Sequence, residues 1–189
     1  MLAAMGAFYL ALIAVLLSGI AARDQVTIAA LTRRQGKRSG VLVVSLSLAA
    51  LTCAGAAYAA DQVLAILAPP ARPVLAAIAL GLAGLESLLL SPRADPREPT
   101  RSLGALAIVL TAHQLTDAAR FTLFGVAVGT GAPFAAGLGG GLAGLLLVLV
   151  AWTYPQAFPT RVVSVLRRVV GGLLLLVAVA MFLRVRGLL

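Results

Sequence analysis

Residues 16–36 of the chain read LLSGIAARDQVTIAALTRRQG, a stretch in which polar side chains interrupt an apolar run long enough to cross a membrane. The interruption consists of Arg23, Asp24, Gln25 and Thr27, and apolar sequence resumes directly after it. An ionised group at bilayer depth costs several kcal/mol unless it is paired or faces water. The charges kept inside this run are therefore candidates for a functional site.

A second interruption of the same kind lies at residues 113–120, HQLTDAAR, where an aspartate again stands inside an apolar run. The two aspartates, Asp24 and Asp117, mark corresponding places in the two halves of the chain. This correspondence predicts a protein of two halves, with both carboxylates at or near a polar centre within the membrane.

The composition is that of an integral membrane protein. Of the 189 residues, 61% are apolar and 11% are charged, whereas roughly a quarter of the residues of a soluble domain are charged. The net charge of +9 comes largely from short basic clusters between apolar runs, where such clusters set the membrane topology. We therefore expect the lipid bilayer, and no nucleic acid, as a partner.

Six transmembrane helices are predicted, because each crossing needs about 20 mainly apolar residues. The runs suited to this role are residues 5–31, 40–60, 73–91, 103–125, 132–153 and 163–185. The first, third and fifth loops carry most of the basic residues, which places these loops in the cytoplasm and both termini outside it. The prediction is a multi-pass protein of the inner membrane, and only Arg184 and Arg186 oppose this orientation.

The two halves align when Asp24 is set over Asp117, an offset of 93 residues. Each half holds three spans, and because three is odd, the halves must cross the membrane in opposite directions. The sequence thus predicts an all-α polytopic membrane protein of two inverted three-helix repeats, an arrangement found in many secondary transporters. Residues 1–92 form the first repeat, residues 93–102 a cytoplasmic linker and residues 103–189 the second repeat.

The polar residues of the fourth span have helical spacing. His113 and Asp117 are four residues apart, and Arg120 follows three residues later, so a continuous helix would place all three near one face. Gln114 adds an amide beside them. Two interpretations stay open: a proton relay or cation site, since histidine titrates near neutral pH and carboxylates bind hard cations, or a mutually neutralised ion pair that fixes helix packing.

The charges of the first span need partners from elsewhere in the chain. Arg23 and Asp24 are adjacent and so point about 100° apart on a helix. Pairing of Asp24 with Arg120 and of Asp117 with Arg23 would satisfy both aspartates across the repeat axis. Glu86, in the third span, is either an interfacial carboxylate near the cytoplasmic end or a third member of the site.

Other features point away from enzymatic chemistry and towards close helix packing. His113 is the only histidine and Cys53 the only cysteine, so no zinc site, disulfide or nucleophile-base pair is predicted. We expect no enzyme activity and no bound cofactor.

Small-residue pairs in the fifth span allow tight helix contacts, within one chain or in a homodimer; they are Gly137 with Gly141 and Gly140 with Gly144.

The chain resembles the GDT-type calcium/manganese-proton exchanger family of the lysine-exporter superfamily. That family carries the motif E-x-G-D-[KR]-[ST] in spans one and four, and the corresponding segments here are 21–26, AARDQV, and 114–119, QLTDAA. Only the aspartate of each motif is kept, at Asp24 and Asp117. The glutamates are replaced by Ala21 and Gln114.

The resemblance implies a secondary transporter that exchanges manganese or calcium for protons, with an altered site. The implied ion-binding residues, of which the two aspartates are the metal ligands, are Asp24, Asp117, Gln114 and Glu86. The residues implied to set the charge state or relay protons are His113, Arg23, Arg120 and Gln25. Since two motif glutamates are absent, the alternative is a membrane scaffold or regulatory protein that keeps the family fold without transport.

Overall fold

The computed structural model describes residues 2–90, 101–158 and 161–188. Every regular element in these ranges is helical, and no strand occurs in them. The α-helices of this part of the chain are α1 (Leu2–Gly19), α2 (Arg23–Gln35), α3 (Ser39–Ile66), α4 (Arg72–Leu89), α5 (Leu103–Leu115), α6 (Ala118–Thr130), α7 (Pro133–Thr153) and α8 (Arg161–Val185). Short 3-10 turns at Pro69–Ala71 and Pro155–Ala157 precede α4 and α8.

Five of the described helices are long and apolar enough to cross a membrane: α1, α3, α4 with its preceding turn, α7 and α8. The helices α5 and α6 are apolar but shorter. The architecture is therefore all-helical and consistent with a multi-pass membrane protein, as the composition predicts. Of the predicted linker, residues 93–100 lie outside the described residues.

Two predicted spans are not continuous helices. The span predicted at 5–31 is divided into α1 and α2, and the span predicted at 103–125 is divided into α5 and α6. The prediction of unbroken helices is wrong at these two places. The length of an apolar run does not show where the main-chain hydrogen bonds of a helix stop and side chains bond the backbone instead. Non-helical backbone at membrane depth is tolerated where neighbouring groups satisfy its polar atoms.

The helices α1 and α2 both pack alongside α7. A Cβ atom at Gly139, early in α7, would meet the carbonyl oxygen of Phe8 in α1. Beyond the other end of α7, the Pro155 carbonyl accepts a hydrogen bond from Arg33 of α2 at 2.8 Å. The interrupted helix α1–α2 therefore runs parallel to α7, and the break does not turn the chain back.

The helices α5 and α6 pack alongside α3 in the same way. The Leu103 side chain, at the start of α5, lies against Gly40 at the start of α3. Further along, Gln114 of α5 and Arg120 of α6 both contact Thr52, near the middle of α3. The interrupted helix α5–α6 is therefore parallel to α3.

Close antiparallel contacts join the two halves. Gly144 of α7 lies against Cys53 of α3, whereas Gly137, earlier in α7, lies against Ala57, later in α3. The α4–α8 contact is also tight, since a Cβ atom at Gly84 would lie 2.8 Å from a backbone oxygen of α8. These contacts agree with the predicted packing role of the glycines, except at Gly141, where a Cβ atom would meet nothing within 4 Å.

Candidate functional site

The first break, between α1 and α2, is closed by hydrogen bonds. Ala21 has a left-handed backbone conformation with a φ of 58°. The Gln25 side chain accepts a hydrogen bond from the Ala21 N–H at 3.1 Å, and Asp24 Oδ1 accepts one from the Gln25 N–H at 2.7 Å. Asp24 thus lies in the first turn of α2, where the helix dipole favours negative charge.

The second break, between α5 and α6, also places a carboxylate at the start of the helix that follows it. Asp117 is the N-cap residue of α6, with extended backbone angles (φ −94°, ψ 146°), and its side chain makes no capping hydrogen bond. Its exposed fraction is only 1%. Asp117 is therefore a buried carboxylate at the positive end of a helix dipole.

Polar side chains connect the two breaks directly. Arg23 Nη2 donates hydrogen bonds to the carbonyl oxygen of Thr116 at 3.1 Å and to its hydroxyl oxygen at 2.7 Å. Gln114 Nε2 donates to Asp24 Oδ2 at 3.1 Å. Although the two breaks lie 93 residues apart in the sequence, they form one site. We call this site the polar junction, and its members are Arg23, Asp24, Thr52, Glu86, Gln114, Thr116, Asp117, Arg120 and Arg167.

Thr52 links the junction to α3. Its hydroxyl oxygen lies 3.0 Å from Gln114 Oε1 and accepts hydrogen bonds from Arg120 Nε at 3.1 Å and Nη2 at 3.0 Å. Gln114 in turn donates to Asp24. A continuous hydrogen-bonded chain therefore runs from the carboxylate of the first half to the arginine of the second.

Ion pairs complete the junction on the side of α4 and α8. Arg167 Nη2 is within hydrogen-bond distance of Glu86 Oε2 and lies 3.9 Å from Asp117 Oδ1. Arg23 Nε is 3.5 Å from Glu86 Oε1, and Arg120 Nη1 is 3.8 Å from Asp117 Oδ2. Among the described residues, neither oxygen of Asp117 has a hydrogen-bond partner.

The charges of the junction are balanced. Its three carboxylates belong to Asp24, Glu86 and Asp117, and its three guanidinium groups belong to Arg23, Arg120 and Arg167. The formal charges cancel when all six groups are ionised, which reduces the cost of keeping them in an apolar surrounding.

The predicted cross-pairing of aspartates and arginines is wrong in detail. Asp24 is bound by the Gln114 amide and not by Arg120, to which it connects only through Gln114 and Thr52. Asp117 faces Arg120 and Arg167, whereas Arg23 donates to the residue before Asp117. The prediction correctly joined the two halves but did not include the two intervening neutral side chains.

The predicted single face of His113, Asp117 and Arg120 also fails, because helix α5 ends at Leu115 and the helical spacing does not continue through the break. The Asp117–Arg120 pair forms nonetheless. Glu86 is buried and paired with two arginines at the junction, and is not exposed at an interface.

The sequence interpretation missed Arg167 and Thr52. Arg167 and its neighbour Arg168 read as one basic cluster at the start of the last span, yet Arg167 is 2% exposed while Arg168 is exposed. Adjacent helical residues point about 100° apart, so two neighbouring arginines can differ widely in burial. Thr52 carried no comparable signal, since single threonines are common in apolar helices.

A metal-binding role is limited by the acidic residues available. Within the described ranges, no group of three or more His, Cys, Asp or Glu side chains is placed to hold a metal ion. The tentative ligands Asp24 and Asp117 are both at the junction, where Asp117 faces two arginines. Calcium normally takes six to eight oxygen ligands, so a cation here would also need oxygens from amides, hydroxyls or water.

No family model, no curated protein and no solved structure matches the chain. The resemblance to the calcium/manganese-proton exchangers stays a prediction. What the chain does has to be inferred from its own side chains and their contacts.

Proposed function

We propose that the chain is a secondary transporter of the inner membrane whose cargo and coupled protons bind at the polar junction. One observation carries the proposal: two interrupted helices bring Asp24 and Asp117 to one buried site, where both oxygens of Asp117 lack a hydrogen-bond partner in the described part of the chain. Ionisable groups inside membrane helices are costly and typically mark solute or proton pathways. Transporters place such sites where interrupted helices of two repeats meet.

The proposed architecture is six crossings in two inverted three-helix repeats, with α1–α2 and α5–α6 as interrupted first helices. Three contacts support it: α1–α2 is parallel to α7, α5–α6 is parallel to α3, and α3 is antiparallel to α7. The two interrupted helices are therefore antiparallel to each other, as an inverted repeat requires. The basic loops provide the proposed orientation, with both termini outside the cytoplasm.

The balanced charges suggest how protons and cargo would exchange. Protonation of one carboxylate leaves the junction positive, so loss of that proton favours entry of a cation. The proposed cargo is manganese or calcium, bound by oxygens of Asp24, Asp117, Gln114 and Glu86. Asp117 is the carboxylate that changes partners most readily, since its contacts of 3.8 and 3.9 Å to arginines are longer than hydrogen bonds.

The test is proton-coupled cation flux in vesicles that contain the purified chain and an internal pH dye. We expect external manganese or calcium to change the internal pH with the original sequence, and Asp117→Asn or Asp24→Asn to abolish the change. Asp61→Asn is the matched control, because Asp61 is an exposed carboxylate outside the junction. Flux that survives in both junction variants would refute the role of the two aspartates.

A second candidate function is a membrane scaffold or regulatory protein without transport. The observation that favours it is the internal pairing of the junction, in which all three arginines already contact carboxylates. This alternative predicts no flux of either cation in folded wild-type protein. It also predicts that Asp117→Asn lowers the unfolding midpoint, because Arg120 and Arg167 would both lose a carboxylate.

A further inference from the structure

A cavity of about 590 Å³, open at the outer surface of the helices, lies between α3, α4, α5 and α6, beside the polar junction. Its wall is almost entirely apolar, with Leu51 and Gly55 from α3, Leu82 from α4 and Phe124 from α6 among the lining residues. The polar lining residues are Thr52, Thr111 and Arg120. The cavity therefore combines a long apolar wall with one cationic group.

Among the described residues, Arg120 is the only charged group in the cavity wall, and its charge is incompletely matched. Its Nε and Nη2 atoms both donate to the neutral hydroxyl of Thr52. Its nearest carboxylate, Asp117, lies 3.8 Å from Nη1, which is longer than a hydrogen bond. In the described part of the chain, Arg120 thus makes no hydrogen bond to an anion, although a guanidinium group is well suited to bind a planar carboxylate through two parallel hydrogen bonds.

We propose that this cavity binds a single-chain organic anion of the fatty-carboxylate class. The apolar chain lies against α3 and α4, and the carboxylate contacts Arg120. Ligand sites of this kind are mostly apolar, with a few polar groups that fix the orientation. The inference goes beyond the proposed function, because it requires binding and does not require cation transport.

Occupation of the cavity would act on the polar junction through one shared side chain. A carboxylate on Arg120 competes with Asp117 for the same guanidinium group, to which Asp117 is held only at 3.8 Å. Asp117 would then keep Arg167 as its remaining charged contact, at 3.9 Å. The bound anion thereby makes the Asp117 carboxylate more available to a proton or a cation.

The test is fluorescence titration of the full-length chain, in nanodiscs of neutral phosphatidylcholine, with 11-(dansylamino)undecanoate as the probe. Gly55→Leu should weaken probe binding by about tenfold or more, equivalent to about 1.4 kcal/mol. A Cβ atom at Gly55 meets nothing within 4 Å, so the new side chain enters the cavity without displacing a helix. Equal affinity of Gly55→Leu and the original protein would overturn the proposal.

Gly141→Leu is the matched control. Gly141 is equally open, but it lines a different cavity of about 650 Å³ between α3 and α7. We expect this variant to bind the probe with unchanged affinity. If Gly141→Leu weakens binding as much as Gly55→Leu does, the probe has no preference for the cavity beside Arg120, and the proposed location is wrong.

Three further titrations test the anionic group and its source. The methyl ester of the probe should bind about tenfold more weakly than the acid, and equal binding would mean that the cavity holds an apolar chain only. Arg120→Lys keeps the charge but loses the planar donor pair, so it should weaken the acid and leave the ester unchanged. Adding anionic phosphatidylglycerol to the nanodiscs should not displace the probe, and displacement would identify a bilayer lipid as the occupant.

Discussion

The two helix breaks each bring an aspartate to the polar junction, yet they hold their aspartates in different ways. Asp24 accepts hydrogen bonds from the Gln25 N–H and from the Gln114 amide, at 2.7 and 3.1 Å. Within the described ranges, the Asp117 side chain has only ion-pair contacts, with Arg120 at 3.8 Å and Arg167 at 3.9 Å. Hydrogen bonds depend on distance and angle more steeply than charge-charge contacts do.

Directional hydrogen bonds therefore fix the Asp24 carboxylate, whereas the Asp117 carboxylate is held by charge. The first break also has Ala21 in a left-handed conformation, whereas the backbone of the second break, at Thr116 and Asp117, has negative φ angles of −111° and −94°. We therefore expect Asp24 to act mainly in a fixed geometry and Asp117 to be the carboxylate that changes partners. Three substitutions test this distinction.

The largest effect is expected for Arg167→Met, which removes a cation that contacts both Glu86 and Asp117. Loss of one partner from a buried ion pair typically costs about 3–5 kcal/mol, so the free energy of unfolding should fall by about this amount in detergent-denaturant titrations. The matched variant is Arg168→Met, at an exposed position, which should change the free energy by no more than about 0.5 kcal/mol. Similar losses in the two variants would contradict the dependence of the second break on ion pairs.

An intermediate effect is expected for Gln114→Leu. This change removes the amide donor to Asp24 and the contact with Thr52, and a buried polar group left without a partner costs about 1–3 kcal/mol. The same unfolding titration measures the loss, with Gln62→Leu at an exposed position of α3 as the control. A Gln114 variant as stable as the control would mean that hydrogen bonds do not fix the first break.

The smallest effect is expected for Ala21→Gly, and it has the opposite sign. A left-handed conformation costs an L-residue roughly 1–2 kcal/mol, so glycine should stabilise the chain by up to about 1 kcal/mol after its greater freedom in the unfolded state is counted. Ala22→Gly is the control, because Ala22 has an ordinary φ of −60°. We expect that variant to lose about 0.4–1 kcal/mol, and equal stabilities would argue against strain at Ala21.

Much of the architecture could be predicted from local pattern. Long apolar runs predict membrane helices because main-chain groups in lipid must bond within the helix, and the observed helices α3, α4, α7 and α8 overlap the predicted spans closely. The length of an apolar run does not, however, predict whether its helix is continuous. The runs at 5–31 and 103–125 were each expected to form one helix. The first is interrupted directly before its polar residues and the second at Thr116 and Asp117.

The membership of the junction could be predicted only in part. Asp24, Asp117, Glu86, Gln114, Arg23 and Arg120 were candidates because each is polar within an apolar run, and the fold brings these six together. Arg167 and Thr52 were missed, since their importance depends on the face that α8 and α3 turn towards the junction. The predicted pairing of Asp24 with Arg120 was wrong for the same reason, because the neutral side chains of Gln114 and Thr52 lie between them.

Hydropathy and spacing in the sequence were enough to predict several apolar helices long enough to cross a membrane and two aspartate-centred interruptions 93 residues apart. These properties follow from hydropathy and spacing, which are local. The tertiary structure alone decided that the interruptions meet, that Asp24 is hydrogen-bonded while Asp117 is held by charge, and that Arg120 also faces an apolar cavity. The contacts that join the two interruptions connect residues 90 and 93 positions apart, and their geometry depends on how whole helices pack.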